Sequence, residues 1–193
     1  MRSNTDQALR GPIDRLQRAT RAIFLVLTAT LTSACTGLPD GIEPVSDFDA
    51  DRYLGTWYEI ARLDHSFERG LSRVTAEYSL RDDGGITVTN RGYDAASGEW
   101  KQADGKAFFV RSRDEGYLKV SFFGPFYGAY VVFGLDHDEY QYSFVSGPDR
   151  SYLWLLARTP TIDKQVMDRF VADATALGFP TGGLIIVDQS SVD

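Results

Sequence analysis

The chain has 193 residues, a formal net charge of −7 and a single cysteine, Cys35. This length fits about one domain plus a short additional segment, and one cysteine excludes an internal disulfide and a thiolate-rich metal cluster. Residues 1–34 hold five arginines and two aspartates, so subtracting their +3 from −7 leaves −10 for residues 35–193. Because phosphate backbones repel so acidic a body, nucleic acid is not an expected partner.

The N-terminal segment has the composition of an export signal. Arginines precede an apolar run at residues 22–31, and small residues at 32–34 follow it. As a helix this run would measure about 15 Å, half of what a bilayer core requires, which excludes a transmembrane span. The order of a basic region, a short apolar region and small residues is typical of a secretory signal, so we expect a signal peptide over residues 1–34.

Cys35 directly follows those small residues. The arrangement resembles the lipobox of bacterial lipoproteins, where cleavage precedes a cysteine that carries a diacylglycerol. Thr32 occupies the position where that family prefers Leu, and Leu31 lies one residue earlier. The resemblance implies lipidation of Cys35 with several acyl chains (palmitate among them), which hold a protein firmly at a membrane, and Thr36 in place of Asp implies the outer membrane. An ordinary signal peptide followed by a chance cysteine is the alternative.

The next segment, residues 35–47, contains two prolines and two glycines with little periodicity, which predicts a lipid-anchored tether. Residues 48–193 form the predicted domain. Turn signals recur there about every ten residues, between runs of alternating β-formers. Counting from Thr56 gives eight strands with short connections, an up-and-down antiparallel sheet that can close into a barrel holding one small ligand. An open β-sandwich is the alternative.

A helix is predicted after the last strand. Pro160 marks its start with Thr161 as a possible N-cap, and Gly178 marks its end. Apolar residues at helical spacing predict a face packed on the outer wall of the barrel. They are Ile162, Val166, Met167, Phe170, Ala174 and Leu177. Residues 184–187 predict a final short strand.

Several motifs carry a family resemblance. Residues 55–60, Gly-Thr-Trp-Tyr-Glu-Ile, resemble the Gly-x-Trp signature of lipocalins, residues 156–160 resemble their third motif, and residues 135–137 match part of the second. Three longer stretches resemble bacterial lipocalins, outer-membrane lipoproteins related to apolipoprotein D: 53–62, 122–128 and 147–150. The resemblance implies an all-β, eight-stranded lipocalin barrel that binds fatty acids or lysophospholipids in membrane maintenance under envelope stress. The Arg158 guanidinium can stack on Trp57 and close one end.

Alternation along the strands predicts which side chains face the lumen. With Trp57 facing inward, Glu59 and Ala61 also face inward, whereas Tyr58 and Ile60 face outward. The predicted ligand-binding residues are Glu59, Val74, Ala76, Tyr78, Val88, Asn90, Phe109, Val120, Phe122, Tyr130 and Val132. Such a lining, apolar with a few polar groups, is typical of a small-molecule site.

The mouth is expected opposite Trp57 and Arg158, from loops near residues 64–70, 94–98, 123–127 and 147–151. The predicted mouth residues are Arg69, Phe123, Phe126, Tyr127 and Arg150. The aromatic residues either contact a membrane or an entering acyl chain, or fold back and plug the barrel. The two arginines either meet a phosphate or carboxylate head group or are ordinary surface charges.

The sequence does not favour an enzyme. His65 and His137 are expected at opposite ends of the barrel, and no Gly-x-Ser-x-Gly motif is present. Glu59 is either an acid–base group or a hydrogen-bonded structural carboxylate. We expect no cofactor and no metal, and we expect a small lipid and the membrane as partners. A structural or interaction lipoprotein with a self-filled barrel is the alternative, and the oligomeric state, monomer or homodimer, stays open.

Overall fold

The computed structural model describes residues 37–190, so the predicted signal peptide and Cys35 lie outside the described residues. Eight main strands follow one another, preceded by a four-residue helix, α1 (Ala50–Tyr53). Their bounds are β1 Gly55–Arg62, β2 Leu71–Leu80, β3 Ile86–Asp94, β4 Glu99–Phe109, β5 Tyr117–Ser121, β6 Gly128–Leu135, β7 Tyr142–Ser146 and β8 Leu153–Ala157. A longer helix, α2 (Lys164–Ala176), and a two-residue strand, β9 (Ile185–Ile186), come last.

The eight strands form a closed antiparallel barrel. Each strand pairs with the next, and β1 pairs with both β2 and β8, which closes the sheet. β9 adds to β1 outside this ring. The predicted up-and-down barrel is therefore confirmed, and the open sandwich is wrong, because closure leaves no free edge among β1–β8.

Two apolar clusters lie on the two faces of the barrel wall. One lies inside the barrel and includes Trp57, Val132 and Val145. The other lies between the outer wall and α2, where Phe170 and Ala174 are buried against residues such as Phe144. The helix thus covers the outer wall as predicted. Within residues 37–190, no helix is long and apolar enough to cross a bilayer.

The start of α2 differs from the prediction. The N-cap position is Asp163 rather than Thr161, and the Thr161 carbonyl instead accepts a hydrogen bond from the Thr159 hydroxyl at 2.7 Å. This local bond holds residues 159–161 in a turn, so the helix begins later. The end is as predicted, because Gly178 adopts φ 81°, a left-handed conformation that glycine tolerates.

The described part of the predicted tether contacts the barrel. Ile42 is only 1% exposed and belongs to the outer cluster. Val45 N–H donates to the Val132 carbonyl at 2.8 Å, and Phe48 N–H donates to the Asp114 carbonyl at 2.9 Å. Because apolar side chains are interspersed among the prolines and glycines, this segment packs against the outer cluster at Ile42 and against the lumen cluster at Val45 and Phe48 instead of extending freely.

Candidate functional site

The barrel contains a cavity of about 550 Å³ that opens at one end. The β1–β2, β5–β6 and β7–β8 loops contribute Phe67, Phe126 and Tyr152 to its lining, while the β3 and β4 ends contribute Gly92 and Lys101. We call this end the open end. The volume lies within the range of about 300–1,000 Å³ usual for small-molecule sites.

The structure places nine of the eleven predicted lumen residues on the cavity wall: Glu59, Val74, Ala76, Tyr78, Val88, Asn90, Val120, Phe122 and Tyr130. Register explains their common face, because Trp57 pairs with Ala76, which pairs with Asn90. Phe109 and Val132 instead pack in the lumen cluster without lining the cavity. Both lie toward the opposite end, where packed side chains fill the barrel.

At that opposite end, which we call the closed end, Arg158 covers Trp57. The guanidinium carbon lies 3.9 Å from the centre of the indole ring. Its nitrogens donate to the carbonyls of Thr56 at 2.9 Å and Arg52 at 2.6 Å. Trp57 Nε1 donates to the Tyr53 carbonyl at 2.8 Å and the indole is fully buried. This is the stacked arrangement expected from the sequence.

A chain of hydroxyl groups forms the floor of the cavity. Tyr53 Oη lies 2.8 Å from both Ser143 Oγ and Tyr130 Oη, and Tyr130 Oη lies 2.9 Å from Tyr78 Oη. Burial raises the pKa of Tyr53 to about 12, and it raises the pKa values of Tyr78 and Tyr130 well above normal. The floor is therefore polar but uncharged at neutral pH, and it can donate to or accept from a ligand.

A β-bulge in β1 changes the predicted orientation of one residue. The pairing with β8 shifts between Glu59 and Ala61. Glu59 lines the cavity, whereas both Ile60 and Ala61 belong to the outer cluster. The expectation that Ala61 faces the lumen is thus wrong, because the extra residue of a bulge interrupts the alternation. Arg62 is turned toward Glu59 as a result.

Arg62 organises a buried polar network beside the cavity. It is 2% exposed, and its Nη1 donates to Glu59 Oε1 at 2.6 Å. Its Nη2 donates to the carbonyls of Glu68 at 2.9 Å and Leu71 at 3.1 Å. The Glu68 carboxylate accepts from Trp154 Nε1 at 3.1 Å and lies 3.0 Å from His65 Nε2. These bonds fix the β1–β2 loop over the barrel wall.

The two carboxyl groups differ in protonation. Burial and the neighbouring Glu68 charge raise the pKa of Glu59 well above its ordinary value, against the opposing effect of Arg62. Burial also acts to raise the pKa of Glu68, but hydrogen bonding to His65, Trp154 and Glu59 outweighs it and leaves that pKa lowered. Of the two carboxyl groups, Glu59 therefore binds a proton more readily, and Glu68 more readily keeps its negative charge.

The predicted mouth residues divide into two groups. Phe123, Phe126 and Tyr127 line the cavity entrance, and Phe123 and Phe126 are each 79% exposed. The two phenylalanines therefore do not fold back and plug the barrel. A plug would have to bury its rings, and these rings face solvent.

Neither mouth arginine lines the cavity. Arg69 is exposed and pairs with Asp64 at 2.8 Å. Arg150 donates through Nε to the Leu177 carbonyl at 2.6 Å and through Nη2 to the Asp40 carbonyl. Of the two alternatives, the surface charge describes Arg69. Arg150 instead connects the end of α2 to the N-terminal segment, because the last carbonyls of a helix attract cations.

Sequence reasoning missed several cavity residues. Glu68, Trp154 and Leu156 line the cavity from the β1–β2 loop and from β8. His65 packs inside an aromatic group, with ring centres 4.0 Å from Phe67 and 5.2 Å from Trp154. The alternation in residues 153–157 was available as a signal. The inward fold of a loop carrying buried Glu68 had no signal in the sequence pattern.

Comparison with known proteins agrees with this architecture. Residues 48–189 match the Lipocalin-like domain family. The chain is 60% identical over 169 residues to "Outer membrane lipoprotein Blc" of Vibrio cholerae, covering 88% of this chain and 99% of that protein. It is 53% identical over 174 residues to the protein of the same name from Escherichia coli K12, with coverage of 90% and 96%.

Among solved structures, insecticyanin from the tobacco hornworm Manduca sexta superposes with a TM-score of 0.64 at 21% identity, covering 80% of this chain and 88% of that one. At that identity the likeness shows the fold alone. The family match and the two relatives go further. The chain belongs to the lipocalin family and is an outer-membrane lipoprotein of the bacterial envelope.

Proposed function

We propose that the chain binds and carries single-chain lipids, fatty acids or lysophospholipids, in its barrel, in the service of membrane maintenance under envelope stress. The observation that carries the proposal is the cavity of about 550 Å³, open at one end and lined mainly by apolar side chains. Burial contributes about 0.8 kcal/mol per methylene, so a 16-carbon chain gives roughly 12 kcal/mol before ordering costs. Those costs leave an affinity near the micromolar range.

Polar groups at defined places support a ligand with one polar end. Asn90 lines the cavity, and its Oδ1 is buried without a hydrogen-bond partner among residues 37–190. The hydroxyls of Tyr78 and Tyr130 lie on the floor. A lipid hydroxyl can donate to the Asn90 oxygen, and an ester carbonyl can accept from a tyrosine hydroxyl, which matters because buried polar groups are costly when unpaired.

The alternative of a self-filled barrel requires the lumen aromatics to occupy this space, and the open cavity favours carriage over it. We also propose that the chain binds rather than catalyses. Glu59 is held by Arg62 at 2.6 Å, as a structural carboxyl group would be, and Cys35 lies at the predicted lipidation position.

A displacement titration tests the proposal. The unacylated chain (Cys35→Ser) would be loaded with a fluorescent fatty acid and competed with a lysophospholipid or with a two-chain phospholipid. We expect displacement by the single-chain lipid near micromolar concentration and much weaker displacement by the two-chain lipid. No uptake of the fluorophore by folded, delipidated protein would contradict carriage and favour the interaction lipoprotein.

A pair of variants tests whether the fatty acid binds inside the barrel. Ala76 lines the cavity, and Glu77 beside it is exposed on the outer face of β2. Ala76→Trp narrows the lumen and is expected to weaken fatty-acid binding at least about tenfold, since the side chain displaces several methylenes. Glu77→Trp adds the same ring outside and should leave affinity unchanged. Equal affinities in the two folded variants would show that the lipid binds elsewhere.

A further inference from the structure

The exposed apolar side chains are concentrated at the open end. Eight large hydrophobic residues are exposed within residues 37–190, and six of them lie in the half of the barrel near the cavity entrance. They are Phe67, Trp100, Phe123, Phe126, Ile185 and Ile186. Leu80 and Val110 are the other two and lie at the closed end. An apolar group of this kind beside a cavity marks a contact surface.

The three phenylalanines of this group form what we call the aromatic rim. Phe67 is 52% exposed in the β1–β2 loop, and Phe123 and Phe126 are 79% exposed in the β5–β6 loop. All three line the cavity entrance. Whatever covers the rim therefore also faces the opening through which a ligand enters.

The N-terminal segment leaves the barrel at the same end. The Asp40 carbonyl accepts from Arg150, which lies in the β7–β8 loop of the open end. The chain then runs toward the closed end, where the Phe48 N–H donates to the Asp114 carbonyl. Read toward the N-terminus, the polypeptide therefore reaches the open end before it leaves the domain.

The lipid anchor is consequently tied close to the cavity entrance. Cys35 lies five positions before Asp40. A fully extended chain spans at most about 3.6 Å per residue, so the acylated cysteine lies within roughly 18 Å of Asp40. Reaching a bilayer at the closed end would require these five residues to run back along the barrel wall, which is about 26 Å for the eight residues of β6 at about 3.3 Å per residue, and this exceeds their reach.

From these observations we propose that the open end docks against the membrane that holds the lipid anchor, with the aromatic rim inserted among the lipids at the interface. Aromatic side chains suit this position because the interfacial region accommodates their rings. The partner is a bilayer surface, and the contact is apolar because the domain carries −10 over residues 35–193. The inference concerns the orientation of the protein and does not depend on which lipid the cavity holds.

Depth-dependent quenching tests this orientation. The full acylated chain would be placed in phosphatidylethanolamine–phosphatidylglycerol vesicles that contain nitroxide-labelled lipid. Acylated Cys35 cannot react with a thiol dye, so one introduced cysteine takes the probe. Phe126→Cys reports on the open end, and Leu80→Cys is the matched control, since both residues are exposed and apolar and lie at opposite ends.

We expect quenching at position 126 to be at least threefold stronger than at position 80, and no weaker at high salt than at low salt, because screening does not weaken an apolar contact. Equal quenching at the two positions, or stronger quenching at 80, would overturn the orientation. Phe123→Cys repeats the measurement in the same loop should the first variant fold poorly. The fatty-acid titration reads the cavity alone, so failure of docking and failure of carriage give separate results.

A rim variant separates docking from tethering. Phe123→Ser combined with Phe126→Ser should reduce quenching of a probe at Ala96→Cys, in the β3–β4 loop of the open end, by at least about threefold. Leu80→Ser should leave that signal unchanged. If the double variant keeps full quenching, the tether alone sets the distance and insertion of the rim is overturned.

Discussion

The two ends of the barrel hold an arginine in different ways, half-buried at the closed end and fully buried at the open end. At the closed end a single arginine, Arg158, is held by carbonyls and an indole face, with no carboxylate required. At the open end Arg62 is fully enclosed and balances a shared negative charge on Glu59 and Glu68. The stacking of Arg158 on Trp57 closes its end of the barrel. The Arg62 network keeps polar groups beside an open cavity, which is what a binding site requires.

This difference predicts that the open end is the more sensitive to loss of its arginine. Arg62→Met leaves the charge on Glu68 without its balancing cation and the carbonyls of Glu68 and Leu71 without donors. Removing one member of a buried charge pair costs about 3–5 kcal/mol of unfolding free energy. Urea unfolding followed by circular dichroism measures the loss.

Arg69→Met is the matched control for that variant. Arg69 is an exposed partner of Asp64 in the same loop, and because solvent screens such surface pairs, we expect a much smaller loss of unfolding free energy from this variant. Equal losses in the two variants would mean that the Arg62 network does not stabilise the open end.

At the closed end a smaller loss is expected. Arg158→Met removes the stacking on Trp57 and the donors to Arg52 and Thr56, but the carbonyls it leaves lie near solvent. The expected loss is about 1–3 kcal/mol, measured by the same urea transition. Arg158→Lys keeps the positive charge but lacks the planar guanidinium group. It should therefore recover less than half of the unfolding free energy that Arg158→Met loses. Full recovery by lysine would show that charge alone matters there.

The smallest effect is expected from Glu59→Gln, and its signature is a change in pH dependence. The raised pKa of Glu59 contributes stability below its unfolded value, and this contribution is lost as pH rises toward the folded pKa. Glutamine replaces the protonated carboxyl group and does not titrate. The variant should therefore lose less unfolding free energy than the parent as pH rises above the ordinary glutamate pKa of about 4.3.

Glu68→Gln should change the pH dependence of stability in the opposite direction. Its lowered pKa contributes stability above the unfolded value, which is lost as pH falls through the folded pKa. The unfolding free energy of this variant should therefore be lower than that of the parent mainly above about pH 4. Identical pH profiles for the parent and Glu59→Gln would contradict the assignment of the proton to Glu59.

The sequence predicted the architecture well where local patterns suffice. Alternation and turn spacing placed the eight strands, and inward Trp57 correctly set the faces of β2 and β3 through pairing. It failed at Ala61, because a bulge adds one residue without a distinctive composition. It also failed at Arg150, whose partners, the carbonyls of Asp40 and Leu177, are distant in sequence. Long-range bonds to backbone atoms leave no mark on a local pattern.

The path of the N-terminal segment also has a mechanical consequence. When a force pulls the domain away from its anchor, the load first reaches Leu38, which packs against the outer cluster, and then the Arg150 bond to the Asp40 carbonyl and the buried Ile42 side chain. These contacts are peeled one at a time, ahead of the Val45 bond to β6. The strand ladders, which would have to shear together, stay unloaded until that peeling is complete. The N-terminal segment thus detaches before the barrel is strained, so the barrel stays folded while the tether is under tension.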